Sequence, residues 1–462
     1  MASSLEEKLN LKYNRMAIKS LFYMISSVTI KQKFFQIAEI VHLRIFGHEM
    51  GEEMRKFIGN LSWSFFGGII ASILMLGVNV GMGRYFGPEE YGKYNFVLIL
   101  SQFLLIFVYL GTDVSSVKFL SGEKELSGKK AFFSSSFYFV LIMISLSWIV
   151  YYSVHSRIEH YFNVDGQYVF LALIFGSILG VKGAVDGYLR AFSLFRFQAF
   201  LRVAEVTAII VFLLLILKMI GIKEYQYYVY VIVGGAALFS LIALFRLRRN
   251  FGAFKWSSLK LMLAYGNVIL IGTIFGTVFN SLDKIIVAKY LGVAQLGIYS
   301  AYFMTSTNLI AQMTQVFNNV FFPAISQVDD TAYVTKIDTL MKWFFIPGGV
   351  ILSSVLYGTL LIFGKAYKPD IFLAVGFGFL AVLQILLTIN SSIITALSKK
   401  LLRKYYFWLY GISFCHIAVY GIFIYLKSIT IPTLLFLFFM NFSIMILIQK
   451  NLINSFIKAK NS

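Results

Sequence analysis

Apolar stretches of about twenty residues recur along most of the chain, separated by short polar connections. A helix of that length spans the hydrocarbon core of a bilayer. The pattern therefore predicts an all-α integral membrane protein with twelve transmembrane helices. The predicted spans are 60–80, 94–112, 131–152, 168–188, 199–219, 227–245, 263–283, 297–321, 342–363, 371–390, 405–425 and 429–448.

One of the polar connections occurs twice. Residues 84–94 (RYFGPEEYGKY) and 289–299 (KYLGVAQLGIY) share a basic residue, Tyr, a hydrophobic residue and Gly, then four variable residues and Gly-x-Tyr. A fixed offset, here 205 residues, is the signature of an internal structural repeat. Six spans per repeat predict two lobes related by a pseudo-twofold axis along the membrane normal, with a cavity between them. Gly87 and Gly92 are expected to shape a tight turn between the first two spans.

The spans and connections divide the chain into five segments. Between Ile18 and Phe46, apolar residues alternate with charges, which is typical of an amphipathic helix at the membrane surface, with a poorly ordered tail as the alternative. The predicted segments are a cytoplasmic N-terminal extension that is partly an amphipathic helix (1–56), an N-lobe with spans 1–6 (57–245), a cytoplasmic linker (246–261), a C-lobe with spans 7–12 (262–450) and a cytoplasmic tail (451–462).

Composition and charge further restrict the class of protein to which this chain can belong. Of the 462 residues, 59% are hydrophobic and 13% are charged, about half the charged share of soluble domains. Lys and Arg are about three times as frequent on one side of the predicted membrane as on the other, which places both termini in the cytoplasm. We therefore attribute the net charge of +20 to topology and anionic lipid, and expect no nucleic acid partner. The single cysteine, Cys415, excludes a disulfide framework.

Motifs for catalysis and cofactor binding are incomplete. The sequence GMG at 81–83 begins a dinucleotide-binding pattern, but the third glycine is displaced to Gly87 and predicted helices flank it. His48 and Glu49 lack the second histidine of a zinc-protease motif. No connection is long enough to form a separate domain. Function is therefore expected inside the helical bundle, without enzymatic activity, cofactor or metal.

Ionisable residues within the predicted spans are the strongest functional signal, because a charge at the bilayer centre costs at least about 2.5–3.5 kcal/mol. Lys182, Asp186 and Arg190 recur every four residues, so they lie near one face of span four. Arg202 and Glu205 extend this character into span five. Two interpretations stay open: a self-neutralising ladder near the cytoplasmic end of the span, or one cationic wall of a cavity.

Further polar residues mark spans two, seven and eight. Asp283 and Lys284 close span seven, either as an ordinary interfacial pair or as the edge of a site. Polar stripes favour an aqueous cleft between the lobes, with interhelical hydrogen bonds as the alternative. The stripes comprise Gln102, Tyr109 and Asp113 on span two and Asn308, Gln312, Gln315 and Asn319 on span eight.

The residues that open the two halves resemble a known transporter family. The first span beginning NLSW at 60–63, the motif at 84–92 and LGTD at 110–113 resemble polysaccharide-biosynthesis transporters. These are the Wzx-type lipid-linked oligosaccharide flippases of the multidrug/oligosaccharidyl-lipid/polysaccharide exporter superfamily. Asp283-Lys284 followed by YLG at 290–292 resembles their seventh span, and only the extension before residue 55 departs from the family pattern.

This resemblance implies two six-helix lobes that alternate between inward-open and outward-open states. The implied substrate is an oligosaccharide repeat unit on undecaprenyl diphosphate, flipped across the cytoplasmic (inner) membrane for O-antigen, capsule or exopolysaccharide assembly. Membrane lipids, a polysaccharide polymerase and a chain-length regulator are the expected partners. An ion-coupled drug or small-molecule antiporter of the same superfamily is the main alternative, although a cationic cleft disfavours cationic drugs. A membrane polysaccharide polymerase is the second alternative.

The resemblance also assigns expected roles to the polar residues. A diphosphate headgroup requires cations in a wet cleft, and family members use ion gradients. We expect headgroup contacts from Lys182, Arg190, Arg202 and Lys284. We expect ion coupling at Asp113, Asp186, Glu205 and Asp283, and a cleft lining that includes Gln102, Asn308, Gln312, Gln315 and Asn319.

Overall fold

The computed structural model describes the backbone of residues 52–162, 165–219, 221, 224–327 and 331–461. It divides into two compact units, Met1–Phe65 and Phe66–Ser462. In the first unit, the structure describes a helical backbone from Glu52. The amphipathic helix predicted at Ile18–Phe46 lies outside the described residues.

The described residues are helical apart from short connections, and they contain no strand. The helices are α1 (Glu52–Tyr109), α2 (Thr112–Gly122), α3 (Leu126–Phe162), α4 (Gly166–Ala191), α5 (Phe195–Met219), α6 (Tyr225–Leu247), α7 (Trp256–Ile286), α8 (Val293–Gln327), α9 (Thr331–Phe363), α10 (Ile371–Leu397), α11 (Lys399–Tyr425) and α12 (Ile431–Asn461). A π-helical turn, Val287–Leu291, extends α7. Helices α3 to α12 hold predicted spans three to twelve in order, and α1 holds the first two.

Ten helical segments of the described chain are long and apolar enough to cross a membrane. One of them, Gly67–Tyr109, carries predicted spans one and two. Predicted span eight lies in α8, which is not among the ten and carries the polar stripe that includes Asn308. The predicted fold class is therefore confirmed: the chain is an all-α, multi-pass membrane protein whose helices fit two six-span lobes.

The repeated motif has the same backbone conformation in both copies. Gly87 breaks α1 with φ 82° and ψ 172°, and Gly292 separates α7 from α8 with φ 92° and ψ 164°. Positive φ is the region where glycine has no Cβ penalty. Pro88 follows Gly87, and its missing N–H costs nothing in the first turn of the resumed helix. The repeat is thus present in the backbone as well as in the sequence.

The second glycine of each motif lies where the two lobes meet. A Cβ atom on Gly92 would stand 1.9 Å from the Val293 carbonyl oxygen, and one on Gly297 would stand 1.8 Å from the Pro88 carbonyl oxygen. Positions 88 and 293 are themselves repeat equivalents, so the contact is symmetric. The prediction that Gly92 shapes a turn is wrong: it lies within α1, and its missing side chain lets α1 and α8 approach at backbone distance.

Aromatic side chains surround this glycine contact. The Tyr367 hydroxyl donates to the Gly83 carbonyl oxygen at 2.7 Å, and the Tyr91 ring packs on those of Phe363 and Tyr367. We call Tyr91, Gly92, Gly297, Phe363 and Tyr367 the interlobe seal. The membrane face on which it lies, which also holds the Gly87 turn, is called the Gly87 face.

Basic residues at equivalent positions also make contacts between the lobes on this face. The Arg84 guanidinium donates to the Ile362 carbonyl oxygen at 3.3 Å, from the N-lobe to the C-lobe. Its repeat equivalent, Lys289, places its Nζ 3.1 Å from the centroid of the Tyr161 ring, from the C-lobe to the N-lobe. The glycine contact fits the pseudo-twofold relation expected of the repeat, and the two basic residues share only their equivalent positions and their crossing between the lobes.

The connection between the lobes is bonded to α3 at the opposite membrane face. The backbone N–H of Gly252 donates to Ser134 Oγ at 2.7 Å, and that of Lys255 donates to Ser135 Oγ at 2.8 Å. Phe251 packs edge-on against the Phe133 ring, 4.7 Å between centroids. We call this the linker face. Helix α6 ends at Leu247 and helix α7 begins at Trp256.

Replacing Ser135 with alanine is expected to destabilise the protein by about 1–3 kcal/mol, because two part-buried hydrogen bonds to the Lys255 backbone would be lost, each contributing about 0.5–1.5 kcal/mol. Ser135 Oγ also donates to the Lys255 carbonyl oxygen at 3.1 Å, so one hydroxyl serves two backbone groups. SDS-induced unfolding of the detergent-solubilised protein measures this. Ser145→Ala is the control, since its exposed hydroxyl bonds only within its own helix. Equal losses in both variants would contradict the role of Ser135.

Candidate functional site

The charged residues predicted on spans four and five meet in one cluster of the N-lobe. Helices α4 and α5 are antiparallel neighbours joined by a turn at Ser193, whose φ is 56°. The turn brings Lys182 Nζ to 2.6 Å from Glu205 Oε1, and Arg202 Nη2 to 2.9 Å from Asp186 Oδ2. We call these four residues together with Arg190 and Gln198 the N-lobe charge cluster. Every member therefore comes from one helical hairpin.

Asp186 is the central acceptor of this cluster. Its Oδ1 accepts from Gln198 Nε2 at 2.8 Å and from Arg202 Nε at 3.4 Å, so the guanidinium binds with two of its nitrogens. Such two-point geometry is specific to arginine. Gln198 is fully buried and lies four residues before Arg202 on the same face of α5. The sequence interpretation omitted Gln198, although this spacing could have revealed it.

Arg190 is the most loosely bound cation of the cluster. Its Nε lies 3.9 Å from Asp186 Oδ2, beyond hydrogen-bonding distance, and its side chain is 51% exposed. Lys182 is less exposed and also faces the Phe239 ring at 5.5 Å. With Asp186 and Glu205 ionised, the three cations leave the cluster with one net positive charge. The two sequence interpretations thus coexist: most of the ladder is self-neutralised, and Arg190 remains accessible to an anion.

Asp113 stands beside this cluster at the start of α2. Burial raises the pKa of the Asp113 carboxyl above its ordinary value, and the nearby Arg190 guanidinium opposes this only in part. Tyr109, one turn earlier, donates its hydroxyl to the Gly180 carbonyl oxygen at 2.8 Å. For Tyr109, the interhelical hydrogen bond is therefore the observed role. The carboxyl of Asp113 therefore lies near the accessible guanidinium of Arg190.

The C-lobe holds a second polar group around Asp283. This carboxylate is fully buried; it accepts a hydrogen bond from the Tyr299 hydroxyl, and its Oδ1 lies 3.6 Å from Lys284 Nζ. Lys284 donates to the Asn280 carbonyl oxygen and stands 3.6 Å above the Phe303 ring. Although adjacent in sequence, the two charges form an ion pair. Tyr299 belongs to the repeated motif and was not singled out from the sequence.

The predicted cleft-lining residues are only partly described. Gln102 is exposed, and Asn308 donates to the Met304 carbonyl oxygen of its own helix at 3.0 Å. The side chains of Gln312, Gln315 and Asn319 lie outside the described part of the structure. Within the described residues, no group of three or more His, Cys, Asp or Glu side chains could hold a metal ion.

Sequence comparison gives one family match. A family model described as polysaccharide biosynthesis protein matches residues 57–329, which is more than half of the chain. No curated protein is similar enough in sequence to count as a relative.

Solved structures of membrane transporters share the fold. A multidrug resistance MATE family transporter of the MOP superfamily, in an inward-facing conformation, matches with a TM-score of 0.61 and 14% identity over 91% of this chain and 99% of its own. An outward-facing MATE family transporter matches with 0.56 and 12% identity over 87% and 96%. A MOP superfamily transporter from Pyrococcus furiosus, described as having a binding pocket of reverse polarity, matches with 0.58 and 13% identity over 91% and 98%. At these identities the likeness is one of fold.

Proposed function

We propose that this chain, which belongs to the polysaccharide biosynthesis protein family, is a flippase for oligosaccharides linked to undecaprenyl diphosphate. In this proposal it lies in the cytoplasmic membrane with both termini in the cytoplasm, and it is a transporter without enzymatic activity. The observation that carries the proposal is the N-lobe charge cluster with its half-exposed Arg190. An anionic headgroup and an unneutralised cation inside a membrane protein stabilise each other, because both are poorly solvated there.

The two arginines of the cluster suit a diphosphate. Arg190 and Arg202 present planar guanidinium groups, which bind phosphate oxygens through two parallel hydrogen bonds. Arg202 uses Nε and Nη2 on Asp186, while its Nη1 lies near Gly68 of α1. In the proposed mechanism, the headgroup first binds Arg190 and then draws Arg202 from Asp186.

The two lysines are the remaining proposed headgroup cations. Lys182 is partly exposed beside Glu205, so a phosphate can compete with that carboxylate for its ammonium. Lys284 is more deeply buried, beside Asp283. It would bind the headgroup from the C-lobe once the lobes move apart. The headgroup would therefore pass from the accessible N-lobe cations to the buried C-lobe cation.

Ion coupling follows from the same pairs. A proton or cation that neutralises Asp186 weakens its hold on Arg202, and neutralising Glu205 does the same for Lys182. Headgroup binding and ion binding would thus be linked through shared partners. The other two carboxylates proposed to take part are Asp113 and Asp283.

The interlobe seal sets the direction of entry in this proposal. It closes the Gly87 face, which the predicted topology makes extracytoplasmic. The headgroup would therefore enter from the cytoplasmic side and leave when the seal opens.

Arg190→Ala is expected to lower surface polysaccharide at least about tenfold, because each charged hydrogen bond to phosphate contributes about 1.5–3 kcal/mol. Arg190→Lys should retain part of the activity, since it keeps the charge and loses the planar fork. Cells lacking the chromosomal gene and complemented with each variant are compared by polysaccharide immunoblot, with membrane abundance measured in parallel. Arg403→Ala, which removes an exposed arginine of α11, is the matched control.

Two results would contradict this assignment. Normal polysaccharide in Arg190→Ala at normal membrane abundance would exclude Arg190 from headgroup binding. Unchanged polysaccharide in the gene deletion itself, together with increased drug accumulation, would replace the flippase with the drug antiporter.

A further inference from the structure

A lipid-facing groove lies along α3 and ends against the interlobe linker. Six residues of α3 line it at helical spacing, namely Tyr138, Leu141, Ile142, Ser145, Leu146 and Ile149. Phe254 of the linker closes one end, and the groove has a volume of about 640 Å³. In the most apolar stretch of α3, only 22% of the residues are buried, against 50% in that of α4. Helix α3 therefore faces the surrounding lipid.

Hydrogen bonds and ring contacts hold the linker end of the groove against α3. The two serine hydroxyls of α3 hold the backbone of Gly252 and Lys255, as described above. The Phe251 ring also packs 5.5 Å from that of Phe137, which directly precedes the groove residue Tyr138. Phe254 therefore stands at a fixed position, although its side chain is 43% exposed. The end of the groove is part of the folded structure and not a chance gap between side chains.

Cations collect at this same end. Lys255 follows Phe254 directly and is exposed, and the Cβ and backbone of Lys130 lie against Gly252 of the same linker. Neither lysine belongs to the ion pairs found in the described residues. Trp256 is 64% exposed at the start of α7, and exposed tryptophans of membrane proteins concentrate at the level of the lipid headgroups.

We propose that this groove binds one anionic phospholipid, with an acyl chain along α3 and the phosphate at Lys255 and Lys130. The apolar stripe of α3 matches the acyl chain of such a lipid. The cations beyond Phe254, at headgroup level, match its phosphate. A bound lipid would join the linker to α3 from the membrane side, and so would add to the two serine contacts. The site is separate from the N-lobe charge cluster, and the proposal does not depend on what the protein transports.

Native mass spectrometry of the full-length protein tests this with phosphatidylglycerol and phosphatidylcholine of identical acyl chains. The wild-type protein is expected to bind phosphatidylglycerol more tightly. Lys255→Gln should reduce that preference about fivefold, as expected for one basic residue near a charged lipid surface. Lys427→Gln, at an exposed lysine on the Gly87 face, is the charge control and should keep the preference.

The groove itself is tested by filling it. Ile142→Trp should lower the binding of both lipids, whereas Val150→Trp should not, although the two positions are similarly exposed at 52% and 58%. Equal binding of the two phospholipids by the wild-type protein would overturn the proposal, as would equal effects of the two tryptophan variants. A polyprenyl phosphate that displaces phosphatidylglycerol at lower concentration would assign the groove to the transported class of lipid and overturn the phospholipid assignment.

Discussion

Replacing Gly92 with valine is expected to disfavour closure of the two lobes at the Gly87 face and to lower transport strongly. The first added carbon would stand 1.9 Å from the Val293 carbonyl oxygen, and the obstacle is backbone, which has no rotamer to change. Overpacking of a well-packed contact costs about 1–3 kcal/mol or more. If transport requires this closed state, its population falls about 5-fold to 150-fold. Gly297→Val, the repeat equivalent, should have the same effect.

Double electron–electron resonance between the lobes measures this. Spin labels at the exposed residues His160 and Phe372 on the Gly87 face, in a Cys415→Ser background, should report a longer distance in Gly92→Val than in the parent. Gly81→Val is the matched control, because it lies in the same helix and a Cβ there meets no atom within 4 Å. Unchanged distance and polysaccharide in Gly92→Val would show that the seal is not required for transport.

Breaking the ion pair between Lys182 and Glu205 is the second change with a large expected effect, here on the free energy of unfolding. Glu205→Leu leaves the Lys182 ammonium largely desolvated without its partner, and breaking such a pair costs about 3–5 kcal/mol when it is fully buried. Because Lys182 is 28% exposed, we expect about 2–3 kcal/mol, measured by SDS-induced unfolding. Lys182→Met should recover most of that stability when combined with Glu205→Leu, since an apolar pair removes the unpaired charge.

Transport by the same double variant separates structure from function. If both charges serve headgroup binding and ion coupling, the double variant should be stable and inactive. Recovered transport together with recovered stability would show that the pair is structural only. The double-mutant cycle is interpretable because the two side chains contact each other directly.

Helical structure and span positions were predictable because a bilayer forces each apolar stretch of sufficient length to satisfy its own backbone hydrogen bonds. Helices α3 to α12 therefore hold the predicted spans in order, although three of them, Leu126–Phe162, Thr331–Phe363 and Ile431–Asn461, extend about ten residues or more beyond the predicted bounds. The backbone conformation at Gly87 and Gly292 was also signalled, since a repeated glycine marks a position where a side chain is disfavoured. The spacing of Lys182, Asp186 and Arg190 placed them on one helical face, as found.

Pairing between helices could not be predicted from those local rules. Periodicity identifies which residues share a face of one helix, but it does not identify the residue of the next helix that meets them. Tyr299 was missed for this reason, and the partners of Lys182 and Arg202 were unknown. Gln198 was missed although its spacing from Arg202 places both residues on one face of α5.

The repeated motif separates what the sequence determined from what the fold determined. Its pattern and offset alone established that the chain is built from two equivalent halves. Only the tertiary structure decided what the second glycine does: Gly92 and Gly297 meet across the interface of the lobes. The physical reason is that a turn is specified by neighbouring residues, whereas a backbone-to-backbone contact between positions 205 residues apart exists only after both lobes have folded and packed.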